Sequence, residues 1–333
     1  MKPNIAFVTG GYSGESVISY KSALTIEEHV DREAYHFFKL DLTPEGWWYI
    51  GEGGERSPVN KEDFSIVADG KKIQFDAALI GIHGTPGEDG KLQGYLDLVG
   101  LSYTSCDTAT SALTFNKRYT VAVAAFSGIH VARSALLIRG RLENIAEISS
   151  TLRFPVFVKP NNGGSSIGMS KVSKAGDELA AAIEKAFRED DQVLIEEFIT
   201  GREFTIGVFR SKGEIITLPM TEIKTKKEFF DFEAKYSPGF TEEITPAVAD
   251  EAVTESVRAA AKKAYQVFNC NGIVRIDFIF NETLNAPFLL EINTVPGQSA
   301  ASLVPQQVKA MGWTLKQFYS ALIEDALTRK KGL

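Results

Sequence analysis

The feature that most constrains this chain is an early alternation of buried strands and helices. "IAFVT" (5–9) is an apolar run of the kind that forms a parallel strand covered on both faces. Gly10 and Gly11 end it, and a helix is expected from about Ser16 to His29. "FFKLDL" (37–42) is a second strand, "GWWYI" (46–50) a hairpin arm, and "FDAALIGIHG" (75–84) another buried strand that ends in glycine. A helix follows over about 88–99, with Leu92, Tyr95, Leu96 and Val99 on one face. Strands alternating with helices predict a parallel sheet covered on both sides, closing near residue 110.

The rhythm then changes. One helix is expected over about 108–127. "ALLI" (135–138), "FPVFVKP" (154–160), "GMSKV" (168–172), "QVLIEEFI" (192–199) and "REFTIGVF" (202–209) come in runs with hairpin-sized gaps. That spacing predicts an antiparallel sheet with helices on one side, among them the amphipathic "GDELAAAIEKAFRED" (176–190). Between about 221 and 249 the pattern fails, with Pro238 and Gly239 inside a charged stretch. A loop that long in a compact domain is functional or disordered, and its aromatic residues argue against disorder, so a lid is expected. A helix (about 250–269), two strands, "GIVRIDFIF" (272–280) and "FLLEINT" (288–294), and a last helix (about 314–328) complete the chain.

Composition serves to exclude. The 333 residues suit two or three domains, and 43 acids against 36 bases give a net charge of −7, which argues against a nucleic-acid binder. No apolar run approaches the ~20 residues of a membrane span. Cys106 and Cys270 are the only cysteines, without a C-x-x-C pair, so neither a disulfide framework nor a zinc knuckle is encoded. "MKPNIAFVTGG" turns polar too early for a signal-peptide core. A cytoplasmic protein is expected.

Two stretches carry chemistry. In "RIDF", Arg275 and Asp277 are two apart and share one strand face; in "LEINT", Glu291 and Asn293 do the same. If those strands pair, three oxygen donors and a guanidinium meet, a set suited to Mg²⁺ or Mn²⁺ rather than zinc. A solvated strand face has the same spacing. In "VKPNNGGSSIGMSKV" (158–172), Lys159 precedes a Gly- and Ser-rich loop, the reverse of the P-loop order. Such a loop can close its N–H groups over phosphate as a flap, and a plain hairpin turn reads the same way.

Taken together, the motifs resemble the D-alanine–D-alanine ligase family of the ATP-grasp superfamily. They run in one order: "GGYSGES" (10–16), "HGTPGEDGKLQGYLDLVGLSYT" (83–104), the 158–172 stretch, "EEFITGREFTIGVF" (196–209), "DFEAKYSPG" (231–239), "RIDF" (275–278) and "EINTVPGQSAASLVP" (291–305). The resemblance implies an α/β fold of three parts: an N-terminal α/β domain (1–112), a central ATP-grasp subdomain with the flap (113–200), and a C-terminal one with the lid (201–333), ATP lying between the last two. It implies ATP-dependent joining of two D-alanines through a D-alanyl phosphate, for peptidoglycan precursors, by a homodimer using two Mg²⁺ or Mn²⁺.

It also implies roles. Lys117, Lys159 and, from the lid, Lys235 would hold ATP phosphates; Glu196, Ile199 and Glu203 adenine and ribose; Asp277, Glu291 and Asn293 the metals. Glu15 would receive the first D-alanine's ammonium and form a trio with Ser165 and Tyr236. Arg275 and the Gly297 N–H would stabilise an oxyanion, while Ser302, Leu303, Arg275 and His83 would surround the second substrate. Phe115-Asn116 and "PGQS" depart from the family's Met-Asp and "PGMT". Relatives that use D-serine or D-lactate are the nearest alternatives, and the D-lactate enzymes lack the tyrosine found here at 236. A nucleotide-binding module without catalysis is a third, less economical reading, since it has no need of Arg275 and the metal trio.

Overall fold

The computed structural model describes residues 2–141, 145–163, 167–225 and 241–329. The first third contains β1 (Asn4–Gly10), α1 (Ser16–His29), β2 (His36–Thr43), β3 (Gly46–Ile50), β4 (Arg56–Pro58), the hairpin β5 (Ile66–Ala68) and β6 (Lys71–Ile73), β7 (Ala77–Ile80), α2 (Lys91–Leu98) and β8 (Ser102–Tyr103). Six of these strands form one sheet in the order β4-β3-β2-β1-β7-β8. β1 pairs in parallel with both β2 and β7, and β7 in parallel with β8. The alternation in β1 explains its unbroken apolar run. Ile5 and Phe7 join the core that holds Ala23 and Ile26 of α1, while Ala6 and Val8 join the core that holds Leu92 and Leu96 of α2. Glu15 follows β1 and His83 follows β7, so both stand beyond the carboxyl ends of adjacent parallel strands. From β1 the chain moves outward in one direction, and β7 lies on the other side, the kind of crevice where α/β sheets bind ligands.

The helix expected over 108–127 is two helices, α3 (Thr108–Phe115) and α4 (Lys117–Phe126). Asn116 breaks it: its backbone is extended, and its side chain accepts the Tyr119 N–H at 3.1 Å. Asn at an N-cap stabilises a new helix start better than it continues an old one.

A second sheet is built from β9 (Ser134–Ile138), β10 (Val156–Pro160), β11 (Ser170–Val172) and β12 (Gln192–Glu197), with α5 (Ile145–Thr151) and α6 (Asp177–Phe187) between them. Its order is β11-β10-β12-β9, antiparallel throughout. Leu179, Ile183 and Ala186 of α6 pack with Val156, Val158, Val193 and Ile195.

The third sheet contains β13 (Arg202–Ser211), β14 (Glu214–Thr217), β15 (Thr221–Thr225), β16 (Thr241–Ile244), β17 (Val274–Asn281) and β18 (Ala286–Asn293), with α7 (Glu251–Val267) across it. The order is β16-β15-β13-β17-β18, and β14 also pairs with β13. The stretch expected to be irregular from 221 therefore starts and ends in paired strands, with Glu222 opposite Ile244 and Lys224 opposite Glu242. Its charges hid the strand: Glu222 is buried because Arg202 holds it at 2.8 and 2.9 Å. Residues 226–240, and with them Lys235 and Tyr236, lie outside the described residues, as does Ser165 in the expected flap.

α8 (Leu303–Ala310) was not expected; its Pro305 lies in the first turn, where a missing N–H costs nothing. α9 (Leu315–Thr328) starts with a Thr314–Gln317 capping box. Leu315, Phe318 and Leu322 of α9 pack with Ile5 and Phe7, so the last helix seals the first sheet. Gln307 of α8 is fully buried, accepting the Gly207 N–H at 2.9 Å and donating to the Thr205 carbonyl (3.0 Å) and the Thr221 hydroxyl (3.1 Å). Replacing Gln307 by Ala removes the side-chain partner of the buried Gly207 N–H and Thr205 carbonyl, while the Thr221 hydroxyl keeps its contact with Thr245. Urea unfolding of Gln307→Ala is expected to show a loss of about 2–3 kcal/mol with the slope unchanged; an unaltered midpoint contradicts the role given to this side chain.

Candidate active site

The centre of the site is the antiparallel pairing of β17 with β18, which sets Arg275 opposite Asn293 and Asp277 opposite Glu291. Strand periodicity then turns all four side chains to one face. Arg275 forks onto Asp277, Nε to Oδ1 at 3.0 Å and Nη2 to Oδ2 at 2.9 Å, and lies 3.6 Å from Glu291. Asn293 Nδ2 lies 3.3 Å from Glu291 Oε1 and 3.5 Å from Asp277 Oδ2. Burial disfavours the Arg275 charge, but the carboxylates of Asp277, Glu291 and Glu88 outweigh it and raise its pKa. Thr205, opposite Asp277 on β13, donates its hydroxyl to Asp277 Oδ1.

A cavity of about 970 Å³ opens on this face, and every expected site residue that is described lines it. From the second sheet come Lys159 and Glu196, which form an ion pair at 2.5 Å with both side chains largely shielded. Glu196 stands opposite Phe157, and Lys159 is two residues farther along the same face, which brings the two ends together. The Asn116 cap sets Lys117 at the first position of α4, where its Nζ donates to the Gly163 carbonyl at 2.6 Å. Ile199 from the link between β12 and β13, Glu203 from β13, Gly297 and Ser302 from the loop before α8, and Leu303 at its start complete the set. Ser302 Oγ lies 2.8 Å from Ser299 Oγ, and a Cβ at Gly297 would come within 2.8 Å of it.

The first sheet supplies the other wall. Gly84 has φ of +65°, and a side chain there would run into the Glu15 carboxylate, so glycine is required where the two loops meet. His83 is buried: its N–H donates to Ser19 Oγ at 2.9 Å and its Nε2 lies 3.0 Å from Ser22 Oγ. Since Ser22 Oγ also accepts the Gln298 N–H at 3.0 Å, its own proton is available to Nε2. Burial pushes the His83 pKa down from 6.5 to about 4, with the Arg275 charge adding to the fall and a backbone bond at Val295 opposing it.

The family described as "D-ala D-ala ligase N-terminus" matches residues 4–106, and "D-ala D-ala ligase C-terminus" matches 116–324. The chain belongs to the D-alanine–D-alanine ligase family. Among its relatives in that family, the D-alanine–D-alanine ligase of Flavobacterium johnsoniae is 44% identical over 324 residues, covering 97% of this chain and 99% of the relative. That of Parabacteroides distasonis is 43% identical over 331 residues, covering 99% of each. Among solved structures, a D-Ala:D-Ser ligase from Enterococcus faecalis superposes with a TM-score of 0.88 at 29% identity, over 97% of this chain and 99% of that one. A Bacillus anthracis D-alanine–D-alanine ligase complexed with ATP gives 0.77 at 26% identity, over 98% and 97%.

Among the lining residues that sequence reasoning did not single out are Thr205 and Glu88. Thr205 shares a strand face with Glu203, a period-two relation that was available but unused. Glu88 had no signal of its own, since nothing in "GEDG" separates its role from that of Asp89. The depressed His83 pKa gives a stability test. The unfolded chain takes up a proton near pH 6.5 and the folded one only near 4, so acidification between these values favours unfolding. Wild type is expected to lose stability relative to His83→Asn as pH falls through that window and to run parallel to it above; a constant difference contradicts the buried neutral ring.

Proposed function

We propose that this chain joins two D-alanines into D-alanyl-D-alanine, with ATP converted to ADP and phosphate, by way of a D-alanyl phosphate. The enzyme is an ATP-dependent ligase of the family named above. The observation that carries the residue-level reading is the convergence of Glu15, Lys159, Arg275 and the Asp277–Glu291–Asn293 set on one cavity. Glu15 on the first-sheet wall is suited to an ammonium. Lys117 and Lys159 supply positive charge for phosphate oxygens, with Lys235 of the lid as a third; Glu196, Ile199 and Glu203 are assigned to adenine and ribose. A free carboxylate must be phosphorylated before an amine can displace an oxygen from it, and transfer between anions needs fixed cations. Arg275 and the Gly297 N–H then serve the oxyanion of the second step, where one such donor is typically worth ~10²–10³ in rate. Ser302, Leu303 and Arg275 hold the second carboxylate, while His83 shapes that wall through Ser22 and Val295. Glu15, Ser165 and Tyr236 are assigned to the trio that couples substrate, flap and lid, keeping water from the acyl phosphate.

Two carboxylates and one amide fit Mg²⁺ or Mn²⁺. The contacts of Asn293 Nδ2 place its amide between both acids, and a half-turn of the amide turns Oδ1 the same way. Among the described residues there is no group of three or more His, Cys, Asp or Glu such as a closed metal site would use. An open set of hard oxygen donors suits an ion that fills its remaining positions with water and phosphate. Asp277, Glu291 and Asn293 would hold two such ions, which supply neutralisation of the phosphate charge.

The product's use in peptidoglycan precursors and a cytoplasmic location belong to the same reading; among the described residues no helix is long and apolar enough to cross a membrane. A homodimer is supported by the exposed apolar stripe Val17, Tyr20 and Leu24 on α1. The likeness to a D-Ala:D-Ser ligase makes D-serine the acceptor to compare, because a small pocket rejects one added hydroxyl weakly.

The test is ADP release with Mg²⁺ and ATP across D- and L-amino acids and D-lactate. Turnover is expected with D-alanine, to vanish on chelation of the divalent ion, and to produce dipeptide. Arg275→Ala is expected to abolish dipeptide while ATP affinity changes little, and unchanged turnover contradicts its role. Nucleotide binding without D-alanine-dependent turnover would favour the non-catalytic reading.

A further inference from the structure

We infer that Gln298 is a positioning residue: its side-chain amide aims the Gly297 N–H that the ligase reading gives to the oxyanion. The inference rests on that reading and adds what holds the donor in place.

A trans peptide is planar, with its C=O and N–H on opposite edges. The Pro296 carbonyl and the Gly297 N–H belong to one such unit. A grip on the oxygen therefore fixes where the N–H points. Gln298 supplies the grip: its Nε2 donates to the Pro296 carbonyl at 3.0 Å. The amide is held in turn by the Tyr319 hydroxyl, which donates to Gln298 Oε1 at 3.4 Å. Tyr319 lies on α9, buried in the core that this helix shares with β1. The ends of the same short segment are fastened as well. The Val295 N–H donates to Glu88 Oε1 at 3.3 Å, and the Gln298 N–H to Ser22 Oγ at 3.0 Å. Pro296 and Gly297 line the cavity; Gln298 is buried next to them and acts through them.

Gly297 needs such a grip more than another residue would. Without a Cβ it accepts backbone conformations closed to other residues, so the peptide before it can turn over with little steric resistance. Turned over, the unit would present its oxygen where the N–H had been and repel an oxyanion. That rotation would leave the Gln298 donor buried and unpaired, which opposes it. A hydrogen bond to the carbonyl also polarises the peptide and strengthens its N–H as a donor. This chain has "PGQS" where the family has "PGMT". Methionine carries no donor for the carbonyl, so the grip comes with the glutamine.

The experiment is the steady-state kinetics of dipeptide formation by Gln298→Met, Tyr319→Phe and the double variant, with thermal unfolding of each. Gln298→Met keeps the backbone N–H on Ser22 and removes the grip. Its kcat is expected to fall by about 10–10²-fold while KM for ATP and for D-alanine stays within a few-fold of wild type. A merely structural loss would lower the unfolding temperature without this split. Tyr319→Phe is expected to lower kcat several-fold in the same way. The double variant is expected to be no slower than Gln298→Met, because Tyr319 acts through the glutamine. An unchanged kcat in Gln298→Met, a loss carried by KM alone, or effects that multiply in the double variant overturn the inference. Should Gln298→Met not fold, Tyr319→Phe decides alone: a several-fold lower kcat at unchanged KM supports the grip, and an unchanged kcat overturns it. Wild type that makes no dipeptide at all would instead remove the ligase reading itself.

Discussion

The pairing of β17 with β18 is the constraint on which the site depends. Antiparallel register puts Asp277 opposite Glu291 and Arg275 opposite Asn293, and backbone hydrogen bonds hold that register. Two carboxylates, an amide and a guanidinium would otherwise repel, wander or be solvated separately. Here Arg275 neutralises Asp277 through a two-bond fork while Thr205 and Gln307, reaching in from β13 and α8, fix the opposite edge. The charge cluster is tolerated in a buried place because every member has a partner with defined geometry.

The second requirement is that three sheets meet at one cavity. The first is bound to the third by two contacts at the cavity wall, Glu88 to Val295 and Ser22 to Gln298, with His83 bonded to Ser22 beside them. Behind these contacts, α9 packs against β1, so the end of the chain closes the domain with which it begins. The wall proposed for the amino acids is thereby braced from both sides. The wall proposed for ATP is built differently, from Lys159 and Glu196 on a separate antiparallel sheet and from Lys117 at a helix start set by Asn116. For the proposed reaction, fixed placement of the Arg275 and Gly297 wall opposite a separate sheet suits two amino acids that must be aligned before water can enter.

Much of this was legible before the structure. The unbroken run of β1 predicted burial on both faces because only a sandwiched parallel strand needs it, and the i, i+2 spacing in "RIDF" and "LEINT" predicted the shared face. Motif order along the chain identified the family where no single motif would. What escaped depended on tertiary context. The helix over 108–127 has no apolar break, and only the cap formed by Asn116 divides it. "TEIKT" falls in the stretch where the strand pattern fails because the partner that buries Glu222, Arg202, is 20 residues away. Glu88 accepts the backbone N–H of Val295 and Gln298 donates its own N–H to Ser22, contacts between remote segments that sequence spacing does not encode. The pairing of Lys159 with Glu196 was likewise invisible, since each had been given to a different part of the nucleotide.

The central claim is that this cavity phosphorylates the carboxylate of one D-alanine before the nitrogen of the second attacks it. Oxygen transfer tests it most directly: supply D-alanine carrying heavy oxygen in its carboxylate, run the reaction with unlabelled ATP, and measure the label in the phosphate released. An acyl phosphate predicts one heavy oxygen in each phosphate formed per dipeptide. Phosphate released without label, alongside dipeptide, would contradict the account.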